Sequence, residues 1–353
     1  MYILETTDSR MLGGCLLVCL LLTTAAAASE PRVAVEPAEK WCNVFGDAKA
    51  IIHYTVRSDV AIEGRVQWSL SVNRRTVQRG EAAIKAAAGR AAEVEVALNV
   101  PAVRDGVIVE AALALAVCMA GEEKPSASHS KILWIFPRDP FVDRSEWLKE
   151  LKITLFDPSG KTADVLEKAR VPFVFTKNIS ALDELGEGLL LVGEDTSWKD
   201  CRGLDEALVK AAARGVPVLC LAPSEGIIAL SGSADTESPS PMGLSLRRED
   251  VISELDKRLD AIAWPPNGGV AACRVALSSD RDRVVAEVTQ ARQAWPWLEA
   301  RYTGKGRLVI CGFGIVRQWD ATPTARYLLS ELFTRLTAEK QPVATPKDVK
   351  ENR

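Results

Sequence analysis

The sequence predicts two domains of different kinds: an Ig-like antiparallel β-sandwich, then a three-layer α/β domain with a mostly parallel sheet. Three observations carry this expectation. Across 33–138 apolar residues alternate with polar ones at a period of two, the mark of strands with one face in a core. From about residue 150, short continuously apolar runs alternate with segments of helical periodicity, as strands buried on both faces and their crossover helices require. The 353 residues suit about two domains at ~150 residues each.

The elements follow in order. In the first half, AIIHYTVRS, GRVQWSLSV, EVEVALNV, GVIVEAALALAV and KILWIFPR read as members of a set of about seven short strands. Val66, Trp68, Leu70 and Val72 share one face, and Asn73-Arg74-Arg75 reads as a turn into a partner strand. Pro137-Arg138-Asp139-Pro140 marks the passage between domains, because proline and the residue before it resist helix. The boundaries are 29–138 for the sandwich, 139–148 for a linker and 149–338 for the α/β domain. In the second half LKITLFD is a strand and KTADVLEKAR a helix. PFVFTK and GLLLVGED are strands, and LDEALVKAAARG is a helix ending at Gly215, a natural residue for the turn past a helix end. VPVLCLAPS is the next strand. After the polar SGSADTESPSPMG come the helix REDVISELDKRL, the strand GRLVICGFG and the helix ARYLLSELFTRL. A polar tail is expected over 339–353.

At the N-terminus, MLGGCLLVCLLLTTAAAASE has the short apolar core and small-residue cleavage site of an export signal over 1–28. It is shorter than the ~20 apolar residues that span a bilayer, so the protein is expected outside the cytoplasm, with no membrane span after cleavage. Six cysteines then remain, Cys42, Cys118, Cys201, Cys220, Cys273 and Cys311, too few for a disulfide scaffold. Cys42 and Cys118 fall in one domain and can pair in an oxidising compartment, whereas Cys220 and Cys311 sit in apolar strands as core thiols. The net charge is -3 and no basic run occurs, which argues against a nucleic-acid partner.

Chemistry is harder to find. GVPVLCLAPSEG is a strand and a sharp turn, a common place for a nucleophile. Yet Cys220 lies within the strand, where burial raises a thiol. Ser224 sits at the turn in A-P-S-E-G, without the glycine-flanked elbow of a nucleophile, and reads as a helix N-cap. Both histidines, His53 and His129, are in the first half, so neither residue has a base nearby in its own domain. Gly160-Lys161-Thr162 follows a strand but lacks the earlier glycine of a phosphate loop. Asp157, Glu194, Asp195 and Glu225 each follow an expected parallel strand, and strand carboxyl ends are where α/β folds bind ligands. They are candidate ligand-binding residues with Ser224, and two carboxylates suffice for glycoside hydrolysis at the right spacing. Trp295 and Trp297, two apart in AWPWLEARY, are candidates for stacking on a sugar. No catalytic residue, cofactor or metal ligand is assigned.

The arrangement resembles the C-terminal accessory part of secreted family-two (β-galactosidase-like) glycoside hydrolases. The closing run YTGKGRLVICGFGIVRQWDATPTARYLLSELFTRL is similar to the last strand and helix of a class I glutamine-amidotransferase-like, flavodoxin-type domain. GLLLVGED and GVPVLCLAP match inner strands of that fold. Related domains trimerise some β-galactosidases. The resemblance implies a flavodoxin-like, amidotransferase-like α/β domain, but neither parent activity carries over. A catalytic barrel needs ~250 residues, and no histidine follows the would-be elbow. The expected function is therefore an exported, non-catalytic interaction or carbohydrate-associated accessory protein. Its partners would be a carbohydrate or a partner protein, and a homo-oligomer is open. The alternatives are a hydrolase using the rim carboxylates and an oligomerisation module.

Overall fold

Eight strands build the first half of the chain in a computed structural model, which describes residues 33–338 apart from 123, 232–238, 267, 281–282 and 304–305. The expected signal segment and tail lie outside the described residues. The strands are β1 (Val33–Pro37), β2 (Asn43–Phe45), β3 (Lys49–Ser58), β4 (Ile62–Val72), β5 (Arg75–Ala86), β6 (Ala91–Asn99), β7 (Val109–Met119) and β8 (Ala127–Phe136). They form a three-stranded sheet, β1-β3-β6, facing a five-stranded sheet, β2-β8-β7-β4-β5. The alternation read from sequence does this work. Ile52, Tyr54 and Val56 of β3 and Val94, Val96 and Leu98 of β6 meet Val66, Leu70, Leu113, Leu115 and Val117 in one core, so the sandwich fits the Ig-like expectation. The Asn73-Arg74 turn joins β4 to β5 with both residues at positive φ, 49° and 64°. That conformation matches the right-handed twist of the flanking strands.

The second half adds α1 (Ser145–Glu150), β9 (Ile153–Phe156), α2 (Lys161–Lys168), β10 (Phe173–Thr176), α3 (Ser180–Asp183), β11 (Leu189–Val192), α4 (Leu204–Ala213) and β12 (Val218–Leu221). There follow β13 (Ile227–Ala229), β14 (Gly243–Arg247), α5 (Asp250–Leu255), β15 (Val275–Asp280), β16 (Arg283–Val288), β17 (Trp297–Arg301), β18 (Arg307–Cys311) and α6 (Pro323–Ala338). A seven-stranded sheet runs β10-β9-β11-β12-β18-β17-β14. The first five of these strands are parallel and the last two pair antiparallel. The parallel strands are apolar on both faces because both are covered: Leu189, Leu191, Leu219 and Val309 belong to one core and Leu190, Val192, Val218 and Leu308 to another.

This arrangement corrects the expected fold class. Among the described residues the structure is mostly β, 41% strand against 17% helix, and shows no flavodoxin-like or amidotransferase-like three-layer α/β arrangement. On one face of the large sheet, where such a fold would lay helices, a three-stranded antiparallel sheet, β13-β16-β15, shares the core with α3 and α4. Ile228, Val275 and Ala286 supply its buried side chains. The passage expected as a linker over 139–148 is packed as well. Phe141 is buried and stacks on Phe333 at 6.2 Å between ring centroids, and Arg144 donates to Ser330 Oγ at 2.7 Å. Phe136 at the end of the sandwich joins the core that holds α6 and lies edge-on to Tyr327 at 4.8 Å. Among the described residues no helix is long and apolar enough to cross a membrane.

Candidate functional site

Of the candidate carboxylates, Asp157, Glu194 and Asp195 lie together at the carboxyl ends of neighbouring strands. Asp157 follows β9, Glu194 and Asp195 follow β11, and Ser224 and Glu225 follow β12. Hydrogen bonds give Asp157, Glu194 and Asp195 each a partner inside the protein. Asp157 is 0% exposed. Its Oδ2 accepts the backbone N–H groups of Thr162 and Ala163 at 2.8 and 3.0 Å, and Oδ1 accepts Ser159 Oγ–H at 2.8 Å. It therefore satisfies the otherwise open amides and the positive end of α2. Gly193 allows this approach: a Cβ there would lie 2.7 Å from Asp157 Cγ and 2.9 Å from Thr162 Oγ1.

Glu194 is also buried. Its Oε2 accepts Val316 N–H at 2.6 Å and its Oε1 accepts Arg317 Nε–H at 2.9 Å. Burial pushes the Glu194 carboxyl up from its ordinary value against these donors. The same Arg317 donates through Nη2 to Asp195 Oδ1 at 2.7 Å, while Lys161 Nζ donates to Asp195 Oδ2 at 2.9 Å. Asp195 takes a positive φ of 66° and its N–H reaches Ala222 O at 3.0 Å. The rim is thus a lattice that ties the ends of β9, β11 and β12 to the loop after β18. An acid and base for hydrolysis need carboxyl groups able to exchange protons with a substrate, whereas these are engaged by the Arg317 guanidinium, the Lys161 ammonium and backbone amides.

Other sequence candidates separate. Ser224 and Glu225 are exposed, and Glu225 lies 3.5 Å from Lys199. The N-cap reading of Ser224 is corrected, because the next element is the strand β13 and not a helix. Trp297 is 1% exposed, packed in a core of the large sheet, and offers no face to a sugar. Trp295, half-buried, exchanges two backbone hydrogen bonds with Val275, so the pair is not a stacking platform. Cys42 and Cys118, which the sequence left open as a pair, are both free thiols here. Cys220 and Cys311 are fully buried, and desolvation pushes both thiols up.

What sequence reasoning missed lies where the sandwich meets the second half. Asp260 accepts Cys42 N–H at 2.9 Å on both carboxylate oxygens and Asn43 N–H at 2.8 Å, closing the free edge of β2. Thr324 Oγ1 receives Asn43 Nδ2–H at 2.8 Å. Asn43 is 1% exposed, and its Oδ1 has no partner. Beside it a groove of about 640 Å³ is lined by Trp41, Asn43, His53, Ile51, Arg138 and Asp320 among others. At its wall Glu39 holds His53 by a 2.5 Å contact to Nδ1, and this hydrogen bond raises the histidine above its ordinary value. Lys131 Nζ donates to Glu39 O at 2.7 Å and sits 5.5 Å from the centre of the Trp41 ring. The only local signal was a buried polar residue, Asn43, in an otherwise apolar strand. Its partners lie more than 200 positions away.

No family model matches this sequence, and no curated protein does. Solved structures give weak likenesses. A β-glucosidase from Listeria innocua matches at 10% identity and a TM-score of 0.23, covering 30% of this chain and 16% of that one. The CARDB domain of a Pyrococcus furiosus protein matches at 9% identity and 0.22, over 30% of this chain and 95% of that one. The sporulation control protein Spo0M of Bacillus subtilis matches at 15% identity and 0.21, over 34% and 54%. The chain spans about a sixth of the β-glucosidase it matches, and likeness at this level carries no argument about activity.

Proposed function

We propose that the chain is an exported, non-catalytic binding protein that holds a carbohydrate in the groove between the sandwich and the second half. The observation that carries this reading is the contrast between an engaged rim and an open groove walled by polar and charged side chains. At the rim, Asp157, Glu194 and Asp195 already have partners. The groove, about 640 Å³, is walled by Glu39, His53, Arg138 and Asp320, polar groups that an incoming ligand can reach. A hydroxyl-rich ligand hydrogen-bonds to these groups and packs its apolar face on Ile51, which is exposed at the groove.

The test is melting temperature against a panel of oligosaccharides, for the protein and for Ile51→Arg. Ile51 is 50% exposed at the groove, so the arginine blocks the groove without disturbing the core. A ligand that binds only the folded state raises the midpoint. A shift that the variant abolishes supports the reading. A shift that the variant leaves intact places the ligand elsewhere, and a flat panel with capture of a protein partner replaces the carbohydrate.

A second reading, self-association, is favoured by one observation. β10 is an edge strand of the large sheet, and its Val174 and Phe175 are 69% and 44% exposed. An open apolar edge is a template for pairing with another strand. Sizing of the protein against Val174→Lys tests it: a dimer that the lysine dissociates supports the reading, and a monomer at high concentration refutes it.

A further inference from the structure

At Arg138 and Asp320 the groove adjoins a second cavity, of about 320 Å³, which those two residues also line. Its wall is basic. Arg138, Lys168, Arg170 and Arg326 face Asp139 and Asp320, an excess of two positive charges in a protein of net charge -3. Arg326 is fixed in place. Its Nε donates to Trp319 O, its Nη1 to Arg138 O and its Nη2 to Asp320 Oδ1, each at 2.7 Å. Its guanidinium lies 5.3 Å from the Trp319 ring centre and 4.8 Å from that of Phe45. The guanidinium of Arg138 lies 5.2 Å from the same Phe45 ring, so two like charges flank one aromatic. Burial, with the charge of Arg138, holds Arg326 below its ordinary value against the pull of Asp320 and Asp139. Asp320 is taken by Arg326, and Asp139 Oδ1 accepts Phe141 N–H at 2.8 Å. Among the described residues Arg138, Lys168 and Arg170 make no ion pair.

Cations that outnumber the carboxylates around a concavity attract an anion, and planar guanidinium groups suit carboxylate and sulfate oxygens. We infer that the ligand of the junction groove is a glycan carrying an anionic group, a carboxylate or a sulfate ester, which enters the pocket formed by Arg138, Lys168, Arg170 and Arg326. This rests on the carbohydrate reading above and narrows it to acidic saccharides. Arg138 and Asp320, shared by the two cavities, are where the neutral part of the chain passes into the charged end.

The experiment is calorimetric titration of the full chain with paired probes. One pair is an oligogalacturonate tetrasaccharide and its fully methyl-esterified form; the other is a sulfated galactan tetrasaccharide and its desulfated form. Inorganic sulfate is the third arm. The charged member of at least one pair is expected to bind tenfold or more tighter than its neutral partner. That preference shrinks on raising the salt from 50 to 500 mM, because exposed charges are screened, and it is lost in Lys168→Gln/Arg170→Gln. Both residues are exposed, and melting temperature checks that the variant remains folded. Equal affinity for charged and neutral members overturns the inference and leaves the carbohydrate reading standing, provided Ile51→Arg abolishes both. A charge preference that survives the double variant also overturns it. Sulfate binding as tightly as the saccharides, with no effect of Ile51→Arg, reduces the site to an anion hole and overturns the glycan. No binding by any saccharide overturns both proposals.

Discussion

Asp260 makes the sharpest prediction, because two physical effects oppose each other there and the structure decides between them. Two backbone N–H groups donate to its carboxylate, and Lys131 lies near enough to favour the charge; both lower a carboxyl's pKa. Burial acts the other way and wins, pushing the group from 3.8 to about 6. The folded state then holds its proton more tightly than the unfolded chain. The stability this contributes is complete below pH 3.8 and is lost as pH rises through about 6. A shift of this size is roughly 3 kcal/mol. The isosteric Asp260→Asn cannot titrate, so it isolates the effect from every other carboxyl group. Urea unfolding of both proteins at pH 4, 5, 6 and 7 gives the difference directly. The wild type is expected to lose about 2 kcal/mol relative to Asp260→Asn between pH 4 and 7, because at pH 4 part of the effect is already gone. A difference that stays constant, or that moves in favour of the wild type as pH rises, refutes the argument and makes the hydrogen bonds dominant.

Three further outcomes follow from single features. Arg74, at φ 64° in the β4–β5 turn, carries the steric cost of a left-handed L-residue. Arg74→Gly is expected to raise stability by about 0.5–1 kcal/mol in denaturant titration. Gly193→Ala places a methyl 2.7 Å from Asp157 Cγ and is expected to cost ~1–3 kcal/mol by forcing the α2 cap apart; a neutral result would show that the cap yields. Alkylation under native, non-reducing conditions should label Cys42 and spare Cys220 and Cys311, which are fully buried. After denaturation without reductant, peptides carrying Cys42 and Cys118 should both be alkylated, and a disulfide-linked peptide would contradict the free thiols.

Strands were legible wherever a periodicity was complete within one segment. The two-residue alternation of GRVQWSLSV and GVIVEAALALAV marked β4 and β7, and the apolar blocks at 189–192 and 218–221 marked β11 and β12. The fold class failed on shorter and less regular pieces. β13 is three residues. β15 and β16 are six each, and Val284, Ala286 and Val288 share a face that a closer look at alternation would have found. Unread, they left one face of the sheet to imagined helices. The rim was legible because strand ends are local, but its chemistry was not. Arg317, which occupies Glu194 and Asp195, lies more than 120 residues further along the chain, and no sequence spacing announces such a contact. The same holds for Asp260 on β2 and for the four cations at the junction.

Product analysis of a bound saccharide tests the central claim most directly, namely that the rim is architecture and the groove is the site. The oligosaccharide giving the largest rise in melting temperature is incubated with the protein and with Asp195→Asn, and chain length is followed by mass spectrometry. The account predicts that the saccharide is recovered intact from both, at every time point. Cleavage by the protein that Asp195→Asn abolishes would contradict it and make the rim a catalytic site.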